Sequence, residues 1–363
     1  PRWFESLLYE GRALILLDAV DEVPPDARAD MRRQIAQWIT AYPRCHFIIT
    51  TRPDAVQPSW LADKNFQHYS IQPLSGTDRD SFIDHWHRAV EGNRRKAGKP
   101  QSLGPTAASL KDKLRDNFAV ARLATNPLLA ASICALHLDG KAELPRNEAD
   151  LCEKLCEMIL ETRVQAQVEL RELLRASQQE YSRLQYRPHK KPLLAALACA
   201  MLEGGGASSL SIGEMDAIIA STLAQFQDLA SLPVERVRAG LIVVSGLLRV
   251  GAEDRIEFLH NTFKEYLAAS RYKEQGTARL GFLAGHAHDP AWQPVIRFFT
   301  ALCDPASGLA DKMVDKILAL HPPSRSRRKD PAALRRRAAH LLLVQCRAGA
   351  ALSPAHQRQI DAL

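Results

Sequence analysis

Two short aliphatic runs constrain this chain more than any other feature. The first, Ala13-Leu-Ile-Leu-Leu17, runs into Asp18-Ala-Val-Asp-Glu22, and the second, within Cys45-His-Phe-Ile-Ile-Thr-Thr-Arg-Pro53, ends in Thr51 and Arg52. Between them, Asp26–Tyr42 has a helical period with Met31, Ile35, Trp38 and Ile39 on one face. Short apolar runs stopped by polar residues or proline read as strands buried on both faces of a parallel sheet. Strand, helix, strand is a βαβ unit, which crosses over right-handed. Ligands collect at the carboxyl ends of such strands. Asp18, Asp21 and Glu22 are therefore expected on the same edge as Thr51 and Arg52. Three carboxylates this close repel one another and resist burial, so something positive must face them.

After Ile71-Gln-Pro-Leu74 the pattern turns helical. Ser75–Val90 is amphipathic, and Glu91–Thr106, rich in Gly, Lys, Arg and Pro, predicts an exposed loop. Leu110–Leu123, Pro127–Leu138 and Glu148–Leu174 predict helices, with Asn126 placed to cap and Pro127 at a first helical position. Gln178–Lys191 is polar and reads as a linker. Leu193–Leu202, Ile212–Gln225 and Val234–Ser245 predict three more helices. Gly246–Val250, the turn 251–254 and Arg255–His260 predict a β-hairpin, followed by a helix over Thr262–Tyr272. Three helices and a hairpin are the parts of a winged helix. Beyond residue 276 the chain reads as helical, without a clear repeat period.

A chain of 363 residues exceeds one core and implies about two to four domains. Its 46% hydrophobic and 25% charged residues are ordinary for a globular protein. The net charge of +7 is partly local: Arg325, Arg327, Arg328, Lys329, Arg335, Arg336 and Arg337 are diluted only by Asp330. This reads as a solvated loop followed by the polar face of a helix. The alternative is a patch for nucleic acid or another acidic partner, against which stands the lack of interleaved aromatics for base stacking. Seven cysteines without a CxxC argue against a disulfide framework or a zinc ribbon. Cys152 and Cys156, one helical turn apart, read as buried thiols of a reducing compartment. The longest apolar runs, such as Pro192–Leu202, are too short to span a bilayer, and no signal peptide is visible. A cytoplasmic protein without membrane contact is expected.

An acid at the end of a buried strand beside a phosphate site is a Walker B arrangement. Its first carboxylate holds Mg²⁺, which bridges phosphate oxygens, and a second acid orients the attacking water. The spacing assigns Asp18 to the metal and Asp21 and Glu22 to water. Arg52, at the end of the neighbouring strand, has the planar guanidinium that suits a γ-phosphate. A surface turn of solvated acids with an unrelated arginine is the plain alternative. The second strand, ending in TTR at the βαβ distance, favours the nucleotide.

LILLDAVDEVP, HFIITTRP, IQPLS, TNPLLAASICAL and IEFLHNTFKEYLAA resemble, in order and spacing over roughly residues 1–275, successive motifs of NACHT-type STAND NTPases. The resemblance implies an α/β plus mostly α fold. Residues 1–74 would be the C-terminal half of a P-loop NTPase parallel sheet, 75–177 a helical domain and 178–275 a winged-helix domain. Residues 276–363 would be a helical segment that begins an α-solenoid sensor region. It also implies an ATP-dependent switch, closed with ADP, that opens on sensing a ligand, exchanges nucleotide and self-oligomerises. Bacterial members of the family serve in antiphage immunity, and animal and fungal members in innate immunity or programmed cell death.

Position by position, Asp18 matches the metal acid, Asp21 and Glu22 the extended acidic pair, and Arg52 the sensor arginine. Pro127 matches the proline that lies against the base, and His260 the winged-helix histidine that reaches the β-phosphate of ADP. A plain first-turn proline and a strand-end histidine with a local hydrogen bond are the alternatives for the last two. Phe258, Phe263, Tyr266 and Leu267 read as core. Ala19 stands where the family often has glycine. The larger departure is that no GxxxxGK[ST] occurs in the sequence, so the phosphate-cradling loop and its lysine are missing. The expectation is a fragment beginning just before Walker B, with no significant ATPase of its own, whose parent uses ATP/ADP and Mg²⁺. Two competing readings remain. One is a winged-helix nucleic-acid regulator, for which Val234–Ser245 supplies only Arg236 and Arg238. The other is a degenerate scaffold. The trigger ligand is not legible.

Overall fold

The computed structural model describes residues 2–18, 20, 23, 27–51, 64, 66–98, 106–139, 145–162, 184–204, 209–227, 229–243, 245–251, 255–323, 331–347 and 349–363. Asp21, Glu22, Arg52 and the basic stretch 324–330 lie outside the described residues. Backbone contacts divide the chain into two compact units, one of residues 1–72 with 204–208 and the other of residues 73–203 with 209–363.

The first unit contains α1 (Arg2–Glu10), β1 (Leu14–Leu17), α2 (Arg28–Ala41) and β2 (His46–Ile49). The strands pair in parallel, in register from Leu14↔His46 to Leu17↔Ile49, as the βαβ reading requires. Gly11 joins α1 to β1 with φ +73, and a Cβ there would overlap that of Arg44, so only glycine fits. Burial departs from expectation. Leu14, Leu16 and Ile48 are exposed, while Ile15, Leu17, Phe47 and Ile49 on the other face are half-buried. Strand residues alternate between faces, so one face of this pair is covered and the other is open.

The second unit is mostly helical. Its first helix, α3 (Gly76–Lys96), starts in a capping box: Ser75 Oγ accepts from the Asp78 N–H, and the Asp78 carboxylate accepts from the Ser75 N–H. It continues past Val90, where a loop was expected. Arg94, Arg95 and Lys96 in the last turn favour this extension, because cations meet the carbonyl end of the helix dipole. Next come α4 (Ala107–Asp116) and α5 (Phe118–Leu123), broken at Asn117, whose side chain accepts from the Val120 N–H. Then follow α6 (Pro127–Asp139) and α7 (Glu148–Glu157), which runs on into a π-helical turn, Met158–Thr162.

A second π-helical turn, Tyr186–Lys190, leads into α8 (Lys191–Glu203). The sequence reads as a polar linker here, yet Tyr186 and Lys190 are buried, 1% and 4% exposed. Lys190 Nζ donates to the Leu160 carbonyl at 2.9 Å, which satisfies the buried ammonium. The next elements are β3 (Ser209–Leu210), α9 (Ile212–Leu223), α10 (Val234–Val243), β4 (Leu248–Val250), β5 (Ile256–Phe258) and α11 (Asn261–Glu274). The three strands form an antiparallel sheet in the order β3-β5-β4. The hairpin β4–β5 was legible; β3 is too short to leave a period. α8 and α11 pack against each other at the centre, and Tyr266, Leu267, Ala268 and Ala269 are fully buried.

The remaining helices are α12 (Leu280–Gly285), α13 (Gln293–Leu302), α14 (Leu309–Leu320), α15 (Pro331–Arg347) and α16 (Pro354–Asp361). Arg335 and Arg337 are exposed on α15, as a polar helix face requires. All seven cysteines are buried free thiols. Burial pushes Cys134 up to about 12, which keeps it protonated and inert. Among the described residues no helix is long and apolar enough to cross a membrane.

Candidate functional site

The parallel register decides what meets at the carboxyl edge of the first unit. Leu17 lies opposite Ile49, so Asp18 and Thr50 are the next residues out on the two strands. The Thr50 N–H donates to the Leu17 carbonyl at 2.9 Å, and the Val20 N–H donates to the Thr50 carbonyl at 3.1 Å. These bonds tie the chain after Asp18 back to the second strand, and Val20 is buried at 4% exposure. Thr50 Oγ1 donates to Asp18 Oδ1, and both residues are exposed. A carboxylate and a hydroxyl at an exposed edge are hard oxygen donors, the kind Mg²⁺ selects. The donor set therefore fits that ion, with Asp18 as the charged ligand. Asp18 and Thr50 would hold Mg²⁺, which would supply positive charge to offset that of a phosphate.

Thr50 is the residue that sequence reasoning missed. The polar strand end points to Thr51 and Arg52, whereas the register places Thr50 opposite Asp18. Asp21, Glu22 and Arg52, assigned to water and γ-phosphate, lie outside the described residues.

Pro127 and His260 belong to the second unit, and each stands exposed at the start of a helix. Asn126 Oδ1 accepts from the Leu128 and Leu129 N–H groups at 2.9 and 3.3 Å, so the corner before α6 is capped and Pro127 needs no donor of its own. The Leu74 N–H donates to the Thr125 carbonyl at 2.8 Å, which joins Leu74 to this corner. His260 is extended (φ −139, ψ 127) immediately before α11 and makes no side-chain cap to the helix. Its imidazole is thus not spent on the helix that it precedes. Phe258, Phe263, Tyr266 and Leu267 are core, between 0% and 6% exposed.

Residues 2–90 match the family model of the NACHT domain. This segment is that of a NACHT-type P-loop NTPase. The NACHT match contains Asp18 and Thr50 and continues beyond Gln72 into α3. NACHT domains are nucleotide-binding, switch-like NTPase modules that generally take Mg²⁺ with the nucleotide. Pro127 and His260 lie beyond the NACHT match. No curated protein matches the chain.

A second polar constellation lies inside the helical unit. Glu153 on α7 accepts from Lys191 Nζ at 2.6 Å, from Tyr186 Oη at 3.1 Å and from Tyr266 Oη, while Arg187 approaches at 3.5 Å. Burial alone would raise this carboxyl. The hydrogen bonds from Lys191 and Tyr266 outweigh burial and hold it below the usual glutamate range. One turn earlier, burial pushes Glu148 up, with Arg297 only partly opposing. Every donor to Glu153 is already bound to it, so this group fixes α7 against α8 and α11 rather than awaiting a ligand.

Proposed function

We propose that this chain is part of a STAND-type molecular switch in which Mg²⁺ and ADP or ATP control an opening that leads to self-oligomerisation. The observation that carries the reading is an exposed carboxylate, Asp18, at the carboxyl edge of a parallel pair inside a NACHT-matching segment. Asp18 holds Mg²⁺, Asp21 and Glu22 orient water, and Arg52 contacts the γ-phosphate. The three helices α8, α9 and α10 with the β3-β5-β4 sheet are read as a winged helix. From it His260 reaches the β-phosphate of ADP, while Pro127 lies against the base. One nucleotide held by several domains is a bistable element, since ADP and ATP favour different arrangements. Innate immunity or antiphage defence is the proposed setting, with the trigger sensed by the C-terminal helices.

The 363 residues contain no GxxxxGK[ST], so alone they are expected to hold nucleotide weakly and to turn over little ATP. Calorimetric titration with Mg-ATP checks this, and micromolar binding contradicts it. The switch reading is tested in the protein as expressed from its own gene. Asp18→Asn there should lower ATP turnover at least ~100-fold, in line with losing a metal ligand at a phosphoryl-transfer site. Equal turnover in both proteins contradicts it. The competing nucleic-acid reading is weakened by Arg238, whose guanidinium is engaged by Asp216 on α9. A salt-dependent gel shift with duplex DNA would revive it.

A further inference from the structure

The C-terminal helices bring together two imidazoles, His321 buried and His288 half-buried, each with a buried ring nitrogen whose hydrogen-bonding capacity is not filled. His288 follows α12 in the turn before α13, and His321 ends α14. Their ring centres are 5.7 Å apart with planes inclined by 59°. His321 is only 9% exposed. The Nδ1 of His288 and the Nε2 of His321 are both buried and without a hydrogen-bond partner.

The Ala284 backbone acts on the His321 ring as a hydrogen-bond partner. Because Nε2 has no partner, the nitrogen facing the Ala284 carbonyl is Nδ1, and a carbonyl can only accept. This favours the tautomer with the proton on Nδ1 and the lone pair on Nε2. An imidazole that donates one N–H to a backbone carbonyl and leaves the other nitrogen as a lone pair is oriented as metal-ligating histidines are. His340, on α15, donates from Nε2 to the His321 carbonyl at 2.7 Å and so pins the backbone of the same residue.

We propose that His288 Nδ1 and His321 Nε2 bind one divalent transition-metal ion of the zinc class, which clamps the turn after α12 to the end of α14. Two imidazoles that share an ion at ~2.1 Å have ring centres roughly 5–6.5 Å apart, and the observed separation falls within that span. Nitrogen ligands favour Zn²⁺, Co²⁺, Ni²⁺ or Cu²⁺ over Mg²⁺ or Ca²⁺. Among the described residues no third His, Cys, Asp or Glu completes a ligand set, so the two imidazoles would be the protein's ligands. Arg335 acts electrostatically on His321, and its positive charge limits the affinity. This site is independent of the nucleotide reading.

The test is metal binding by the full chain. Zn²⁺ in slight excess over protein should raise the unfolding temperature, and EDTA should reverse the rise. His288→Gln and His321→Gln should each weaken binding about tenfold or more. His286→Gln should leave it unchanged, because His286 Nδ1 already pairs with the Phe282 carbonyl. Should a variant fold poorly, Cu²⁺ bound to the wild-type chain should show paramagnetic-resonance coupling to two imidazole nitrogens. Absence of a Zn²⁺ effect, an effect equal in all three variants, or Cu²⁺ spectra without nitrogen coupling would each overturn the proposal.

Discussion

Asp18 and Glu153 are carboxylates in opposite circumstances. Asp18 ends an exposed strand, and among the described residues it is met by one hydroxyl, that of Thr50. Glu153 is largely buried and accepts from an ammonium and two phenols, with a guanidinium nearby. A carboxylate with lone pairs to spare at a sheet edge is suited to a ligand. One whose Oε2 is met by three donors, in a partly dry setting, is suited to holding helices together. The difference teaches that acidity alone marks neither role, and that the count and burial of donors does.

The comparison breaks if the two acids respond alike to mutation. The largest effect is expected at Glu153. Removing the carboxylate in Glu153→Ala leaves Lys191 and two buried phenols unanswered and should cost about 3–5 kcal/mol of stability in denaturant titrations. Replacing the ion pair as a unit, in Glu153→Gln with Lys191→Met, should recover most of that loss, to within about 1–2 kcal/mol of wild type. A double variant as unstable as the alanine variant would show that packing, not charge, holds this seam. Asp18→Asn should change stability by no more than about 0.5 kcal/mol, because an exposed carboxylate contributes little to the fold.

The pH dependence sharpens the same contrast. The folded-state pKa of Glu153 lies below its ordinary value of 4.5, so its contribution is present above that value and is lost as pH falls through the lower folded one. Glu153→Gln should flatten the acid limb of the stability profile. Glu148 has the opposite sign. Its folded pKa is raised by burial, so stability falls slightly as pH rises from the ordinary value of 4.5 through the folded one. Glu148→Gln should remove that shallow decline, the smallest effect of the set, measurable as the slope of unfolding temperature against pH.

How much was legible follows from the range of each interaction. Helix starts were readable where the signal is local. Ser75 with Asp78 closes a capping box four residues long, and Asn126 precedes Pro127. The βαβ pairing followed from two apolar runs, and Asp18 from its place at the end of the first. What stayed hidden depends on distant partners. Tyr186, Lys191 and Tyr266 are 33, 38 and 113 residues from Glu153, and nothing in their own neighbourhoods marks them. The polar look of 178–191 conceals Tyr186 and Lys190, which are buried against α7 and the turn after it. Thr50 emerged only with the register, because a one-residue change of strand pairing would have put another side chain opposite Asp18.

The central claim is that Asp18 is a Mg²⁺ ligand for a bound nucleotide, and the affinity for ADP tests it most directly. In the protein as expressed from its own gene, Asp18→Asn should weaken ADP binding at least ~10-fold in the presence of Mg²⁺ and leave it unchanged in EDTA, since only the metal-bridged part is removed. Equal affinity of the two proteins in Mg²⁺, or an equal loss with and without the metal, would contradict the account.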